Sequence, residues 1–224
     1  MFSFDPQQLD LWSLYSKIAY YYPVGLSVQD TLYNSYPGFV EGKEIIMKNF
    51  GDADAFREWE EIGKMLANKL NLQYEGTTYG QVPGYSFSLD LNPPIIHGSY
   101  EILKKLHISI SVLGEYFTIW GADGTVFRDG IKQYHSINII TVSPYNEFQH
   151  AFKVSYDYIQ QRFPGYRFVP HAIYNMQIPG LSIDRSEDPE YRPGLIYNAI
   201  FNSLLTGNEP ARGDRAYKIE QWNK

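Results

Sequence analysis

Tyr85-Ser86-Phe87-Ser88-Leu89-Asp90-Leu91 and His107-Ile108-Ser109-Ile110-Ser111-Val112 decide the fold. In both stretches large apolar and polar residues alternate with a period of two. A strand sends successive side chains to opposite faces, whereas a helix of 3.6 residues per turn would scatter this pattern around its circumference. Each stretch therefore reads as a strand with one buried and one polar face. Downstream, Gly114-Glu115 is a short turn into Tyr116–Trp120. Asp123-Gly124 offers the positive φ of a tight hairpin leading to Thr125–Arg128. Ser136–Val142 is nearly apolar throughout, which suits a central strand. Together these segments predict an antiparallel meander.

The flanking segments carry helical spacing. Asp52–Leu70 places Phe56, Trp59, Ile62, Leu66 and Leu70 on one face, with Asp52 as cap and Asp54 at the positive end of the macrodipole. Asp5–Tyr22 reads as a helix capped by Asp5, with Pro6 in its first turn and Leu9, Trp12 and Ile18 in its stripe. Pro37-Gly38 marks a turn, and Lys43–Phe50 is compatible with a short helix. Ser143-Pro144 opens a helix to about Phe163, with Phe148, Phe152, Ile159 and Phe163 on one face. Tyr166–Tyr174 is expected as an edge strand, because Pro170 cannot donate to a ladder. Gln177–Gly194 reads as a long surface loop, Leu195–Leu205 as a helix and Tyr217–Trp222 as a terminal strand. The predicted fold is α+β: one domain over residues 1–224, an antiparallel β-sheet with helices packed mainly on one face.

Composition narrows the function classes. With no cysteine, disulfides, thiolate metal sites and cysteine nucleophiles are excluded. A net charge of −6 disfavours nucleic acid and anionic membrane as partners, since both attract an electropositive footprint. No run approaches the roughly 20 apolar residues of a membrane helix. The N-terminus has no positive charge before Lys17, so no secretory signal is expected and the cytoplasm is the default location. The 20 tyrosines suit a bulky core with a polar margin, and equally a partner surface, where Tyr and Trp are enriched.

No chemical motif stands out. The five histidines, His97, His107, His135, His150 and His171, form no metal-binding spacing, and neither metal nor cofactor is expected. Ser86, Ser88, Asp90, His107, Ser109 and Ser111 would share a sheet surface if their strands pair. A nucleophilic serine normally needs a strained turn and an oxyanion hole, however, and a flat strand supplies neither. Gly121, Gly124 and Gly130 lack the following helix of a dinucleotide fingerprint and read as turn residues, as does Arg212-Gly213-Asp214. Two acidic groups remain as candidate partner-binding residues: Glu58 and Glu61 on the polar side of the Asp52 helix, and Asp184, Glu187, Asp188 and Glu190 in the long loop.

The segments Gly51-Asp52-Ala53-Asp54-Ala55-Phe56-Arg57-Glu58-Trp59-Glu60-Glu61 and Gly213-Asp214-Arg215-Ala216-Tyr217 carry a resemblance. With the short, acidic, Tyr- and Trp-rich α+β character of the chain, they are similar to bacterial immunity proteins of polymorphic toxin systems. That resemblance implies a non-enzymatic protein that occludes a cognate toxin, with a basic toxin domain as partner. The alternatives are an enzyme with a site assembled from scattered residues, or a structural or regulatory interaction module.

Overall fold

The computed structural model describes residues 9–142, 147–183 and 192–213. Its centre is a mostly antiparallel mixed sheet. The strands are β1 (Gln73–Gly76), β2 (Gly84–Asp90), β3 (Ile95–His97), β4 (Tyr100–Ser111), β5 (Tyr116–Asp129), β6 (Lys132–Thr141), β7 (Arg167–Phe168) and β8 (Ala211–Arg212). The main path runs β1-β2-β4-β5-β6-β8, with β3 on β4 and β7 on β5. Among the described residues only the two-residue strands β7 and β8 pair in parallel.

The alternating stretches pair in register, Phe87 opposite Ile108 and Ser88 opposite His107. Phe87, Leu89, Leu106, Ile108, Phe117 and Ile119 form the apolar side of the sheet and are fully buried. Two long helices cover it. Helix α4 (Ala53–Leu70) is capped by Asp52, whose carboxylate accepts from the N–H groups of Asp54 and Ala55 at 3.0 Å. Its Trp59 ring sits 4.9 Å from Phe87. Helix α5 (Phe148–Arg162) buries Phe148, Phe152 and Ile159, and Pro164 follows its end. Ser143 and Pro144, the expected cap and first residue, lie outside the described residues, as do Asp5, Pro6 and the strand expected at Tyr217–Trp222.

Several expectations are corrected. The polar sides of β2 and β4 do not meet solvent. Ser86, Ser88, His107, Ser109 and Ser111 are all buried. The chain after Val169 and the short helix α7 (Ile196–Ile200) lie over them: Asn202 Nδ2 donates to Ser109 Oγ at 3.3 Å, and Thr118 Oγ1 donates to the Val169 carbonyl at 2.9 Å. Asp123-Gly124 is not a hairpin. It lies inside the 14-residue β5, opposite a point where β6 carries one extra residue between Ile137 and Ile139, and the reversal comes at Gly130, whose φ is +57°. Gly124 itself has no positive φ and pairs with Leu103 as ordinary strand backbone. Strand β6 is not central, since its outer neighbour β8 reaches only Ile140 and Thr141. Tyr166–Tyr174 holds only β7, after which Pro170 caps the one-turn helix α6 (His171–Tyr174). The described part of Gln177–Gly194 is not a surface loop, because Ile178, Leu181 and Ile183 are buried.

The N-terminal helices also differ. Helix α1 (Leu11–Tyr21) is capped by Asp10, which accepts from Trp12 N–H at 3.0 Å, and Trp12 itself is 72% exposed. Beyond the single turn α2 (Thr31–Ser35), Pro37-Gly38 starts a helix instead of making a turn: α3 runs Pro37–Gly51, with proline where its missing N–H costs nothing. Gly38 is needed there because a Cβ would stand 1.7 Å from the Tyr20 carbonyl oxygen of α1. Gly38→Ala should therefore lower stability by about 1–3 kcal/mol, the usual cost of overpacking, despite alanine's better helix propensity. Gly51→Ala, with nothing within 4 Å of the new methyl, is the matched control in urea unfolding. Equal midpoints for the two variants would show that α1 and α3 do not approach so closely.

Candidate functional site

The Ser–His–Asp set does share one sheet surface, but its serines and histidine are buried and not presented in an open site. His107 stacks on Trp120 with ring centroids 4.1 Å apart. Burial, with a smaller contribution from the Lys105 charge, pushes its pKa down to about 3. It is a neutral ring sealed in the interior and a poor base at neutral pH. Ser86 Oγ accepts from Thr77 Oγ1 at 2.9 Å, Ser109 Oγ accepts from Asn202, and Asp90 pairs with Lys105 at 3.2 Å. Burial likewise raises the Tyr197 hydroxyl above its ordinary value. This layer is a polar seam that joins the C-terminal chain to the sheet. Among the described residues no group of three or more His, Asp or Glu is placed to hold a metal ion.

The acidic candidates divide. Asp184, Glu187, Asp188 and Glu190 lie outside the described residues. Glu58 forms an ion pair with Arg162, which ties α4 to α5, so its charge is partly committed to the fold. Glu61 is exposed on the same helix. Arg212 is not presented on a loop tip, because it is in β8 and pairs with Asp123 at 3.0 Å.

A different surface emerges where the sheet outruns its helices. Cross-strand partners share a face, so the helix-covered side of β4 continues from Ile110 through Ile108 and Leu106 to Lys104, Ile102 and Tyr100. Phe148 of α5 lies against Gly121, where a Cβ would meet its ring at 2.4 Å. The cover then ends at an ion cluster: Lys104 Nζ contacts Asp123 and Glu147, each at 2.7 Å, and Arg212 joins Asp123. Partial burial works against the Lys104 charge, but the two carboxylates outweigh it and its pKa is raised.

Beyond that cluster the face is open. Tyr100, Phe127 and Tyr134 are direct partners across β4, β5 and β6. Their rings form a ladder, Tyr100 to Phe127 at 5.0 Å and Phe127 to Tyr134 at 6.1 Å. Ile102 and Ile95 form the adjoining rung across β4 and β3. Tyr100 and Tyr134 are each 52% exposed, Ile95 46% and Ile102 37%. The opposite face of the same ribbon carries polar contacts, Arg128 Nη2 donating to Glu101 at 2.7 Å and Gln133 bonded to His135 at 2.7 Å, beside the exposed Ile96 and the buried Val126. The ladder face has no cover among the described residues.

The structure does not bring Glu58 and Glu61 to this ladder. Glu58 lies beside Tyr85, Ile110 and Tyr166, at the far end of β4 from Tyr100. Ten strand residues span about 33 Å at 3.3 Å each. The ladder was missed in sequence because its residues are single alternating positions in four strands, although Gly98-Ser99 between Ile95 and Tyr100 is a recognisable hairpin signal.

No helix among the described residues is long and apolar enough to cross a membrane. Compared with protein-family models, curated proteins and solved structures, the chain matches none of them.

Proposed function

We propose that this chain is a protein-binding protein that docks a basic protein domain on the Tyr100–Phe127–Tyr134 ladder, acting in the manner of an immunity protein that occludes a toxin. The observation that carries the reading is the uncovered aromatic ladder. Contiguous exposed apolar surface rimmed by polar groups marks interaction sites, and tyrosines dominate binding energy when a partner desolvates them. The net charge of −6 supports a basic partner, whose approach it would accelerate at low salt. The sealed His107 layer gives the enzyme alternative no support. On this reading Glu58 and Glu61 contribute to the long-range field and not to the contact.

The test is comparative capture from the producing cell, using the full chain beside a Tyr100→Ala/Tyr134→Ala double variant. The expected result is a basic protein retained by the wild type and lost with the variant, with binding that weakens as salt rises. Both side chains are half in solvent, so the variant should unfold within a few degrees of the wild type. Equal recovery by both proteins, or no protein recovered by either, would remove the reading.

A further inference from the structure

A cleft of about 620 Å³ lies between α3 and the C-terminal chain, a volume within the about 300–1,000 Å³ range of small-molecule sites. Its walls are Tyr22, Phe39 and Met47 on one side and Val82, Asn198 and Ser203 on the other. Asn198 is 8% exposed, and neither Nδ2 nor Oδ1 has a hydrogen-bond partner among the described residues. A primary amide carries two donors and two acceptor sites, and leaving them unmet in the interior is costly. Buried unpaired amides are uncommon and call for an explanation. The last torsion of asparagine is broad, so this amide can swing toward the cleft that it lines.

Two further observations concern the same walls. Lys43 lines the cleft, is exposed, and has no carboxylate within ion-pair distance among the described residues. Its ammonium sits 4.4 Å from the centre of the Phe39 ring and 3.3 Å from Asn34 Oδ1. Lys43 is the one charged residue of the described lining. Gln81, also in the lining, holds a left-handed φ of +65°. Such a backbone is disfavoured for any residue but glycine, and this kind of strain collects at ligand sites.

We infer that this cleft binds a small planar anion: a heteroaromatic body with adjacent hydrogen-bond donor and acceptor read by the Asn198 amide, and an anionic group met by Lys43. An adenine edge is the best-known match for an Asn amide, which pairs with its N6 donor and N7 acceptor. A mononucleotide therefore has the required chemistry. No described lining residue belongs to the aromatic ladder, and the inference stands independently of the protein-binding reading.

The probe is AMP, titrated calorimetrically into the full-length chain, with adenosine and ribose 5-phosphate as probes of the two halves. Saturable one-to-one binding of AMP is expected, with adenosine weaker and ribose 5-phosphate weaker still. Asn198→Leu, close in shape, should weaken AMP at least tenfold while raising the thermal midpoint of the free protein, because it removes the unpaired amide. Lys43→Met should weaken AMP at least tenfold and leave adenosine nearly unchanged. The proposal is overturned by any of three results: no AMP binding to the wild type, equal AMP binding by Asn198→Leu, or a lower midpoint for Asn198→Leu, which would show that the amide is satisfied within the fold.

Discussion

Trp59→Ala should lower the thermal midpoint by roughly 6–20 °C, the largest loss expected from any single exposed-to-core contrast on α4. Trp59 is 3% exposed and its ring packs on Phe87 and Tyr85, at 4.9 and 6.3 Å. Truncating a buried aromatic costs about 3–5 kcal/mol, and in a chain of this size each kcal/mol moves the midpoint by about 2–4 °C. The indole nitrogen has no hydrogen-bond partner, so the loss is one of packing. Phe56 is one turn away in the same helical stripe but 39% exposed, and Phe56→Ala should cost about half as much or less. Calorimetric melting of the two variants reads the difference. Equal shifts would mean that α4 is rotated about its axis so that Phe56 is buried as deeply as Trp59.

The second large effect is on acid stability. The His107 imidazole is held neutral by burial, its pKa pushed down to about 3, against about 6.5 in the unfolded chain. Above pH 6.5 the ring is neutral in both states and contributes no pH dependence. As pH falls below 6.5 the unfolded chain takes up a proton that the folded chain refuses, so stability decreases until about pH 3. The slope approaches about 1.4 kcal/mol per pH unit, for a total loss of roughly 5 kcal/mol. By pH 5, before most carboxylates titrate, about 2 kcal/mol should be gone. His171, pushed down to about 4 chiefly by burial, acts in the same direction from a less enclosed position. Urea midpoints at pH 7 and pH 5, for wild type and His107→Leu, check this. The variant should show the smaller drop, and identical drops would place the His107 ring in contact with water.

The strand periods and the caps were legible because they depend on local chemistry. Ser86–Ser109 and Ser88–His107 fall in the register that alternation implies, and Asp52 caps the helix it precedes. What alternation does not carry is the occupancy of the polar face. The sequence shows serines and a histidine there, and solvent is the simplest neighbour. The actual neighbours of Ser109 are Tyr197 and Asn202, about ninety residues away in the chain, and no local pattern announces them. Asp123-Gly124 and Pro37-Gly38 failed for a related reason. A permissive residue can sit in a turn, in a strand or at a close helix crossing, and only the tertiary partner decides which. For Gly38 that partner is the Tyr20 carbonyl.

The candidate site was less legible than the fold. Tyrosine abundance suggested a partner surface in general terms, but which of the 20 tyrosines stay uncovered depends on where α5 begins. It begins at Phe148 over Gly121, and among the described residues nothing covers the rungs beyond it.

Hydrogen–deuterium exchange of the full chain, free and saturated with the captured partner, tests the central claim most directly. The account predicts slowed exchange in 95–102, 125–129 and 132–136, the ends of β3, β4, β5 and β6 that carry the ladder, with α4 around Glu58 and Glu61 unchanged. Protection confined to α4, with exchange in the ribbon unaltered, would contradict it.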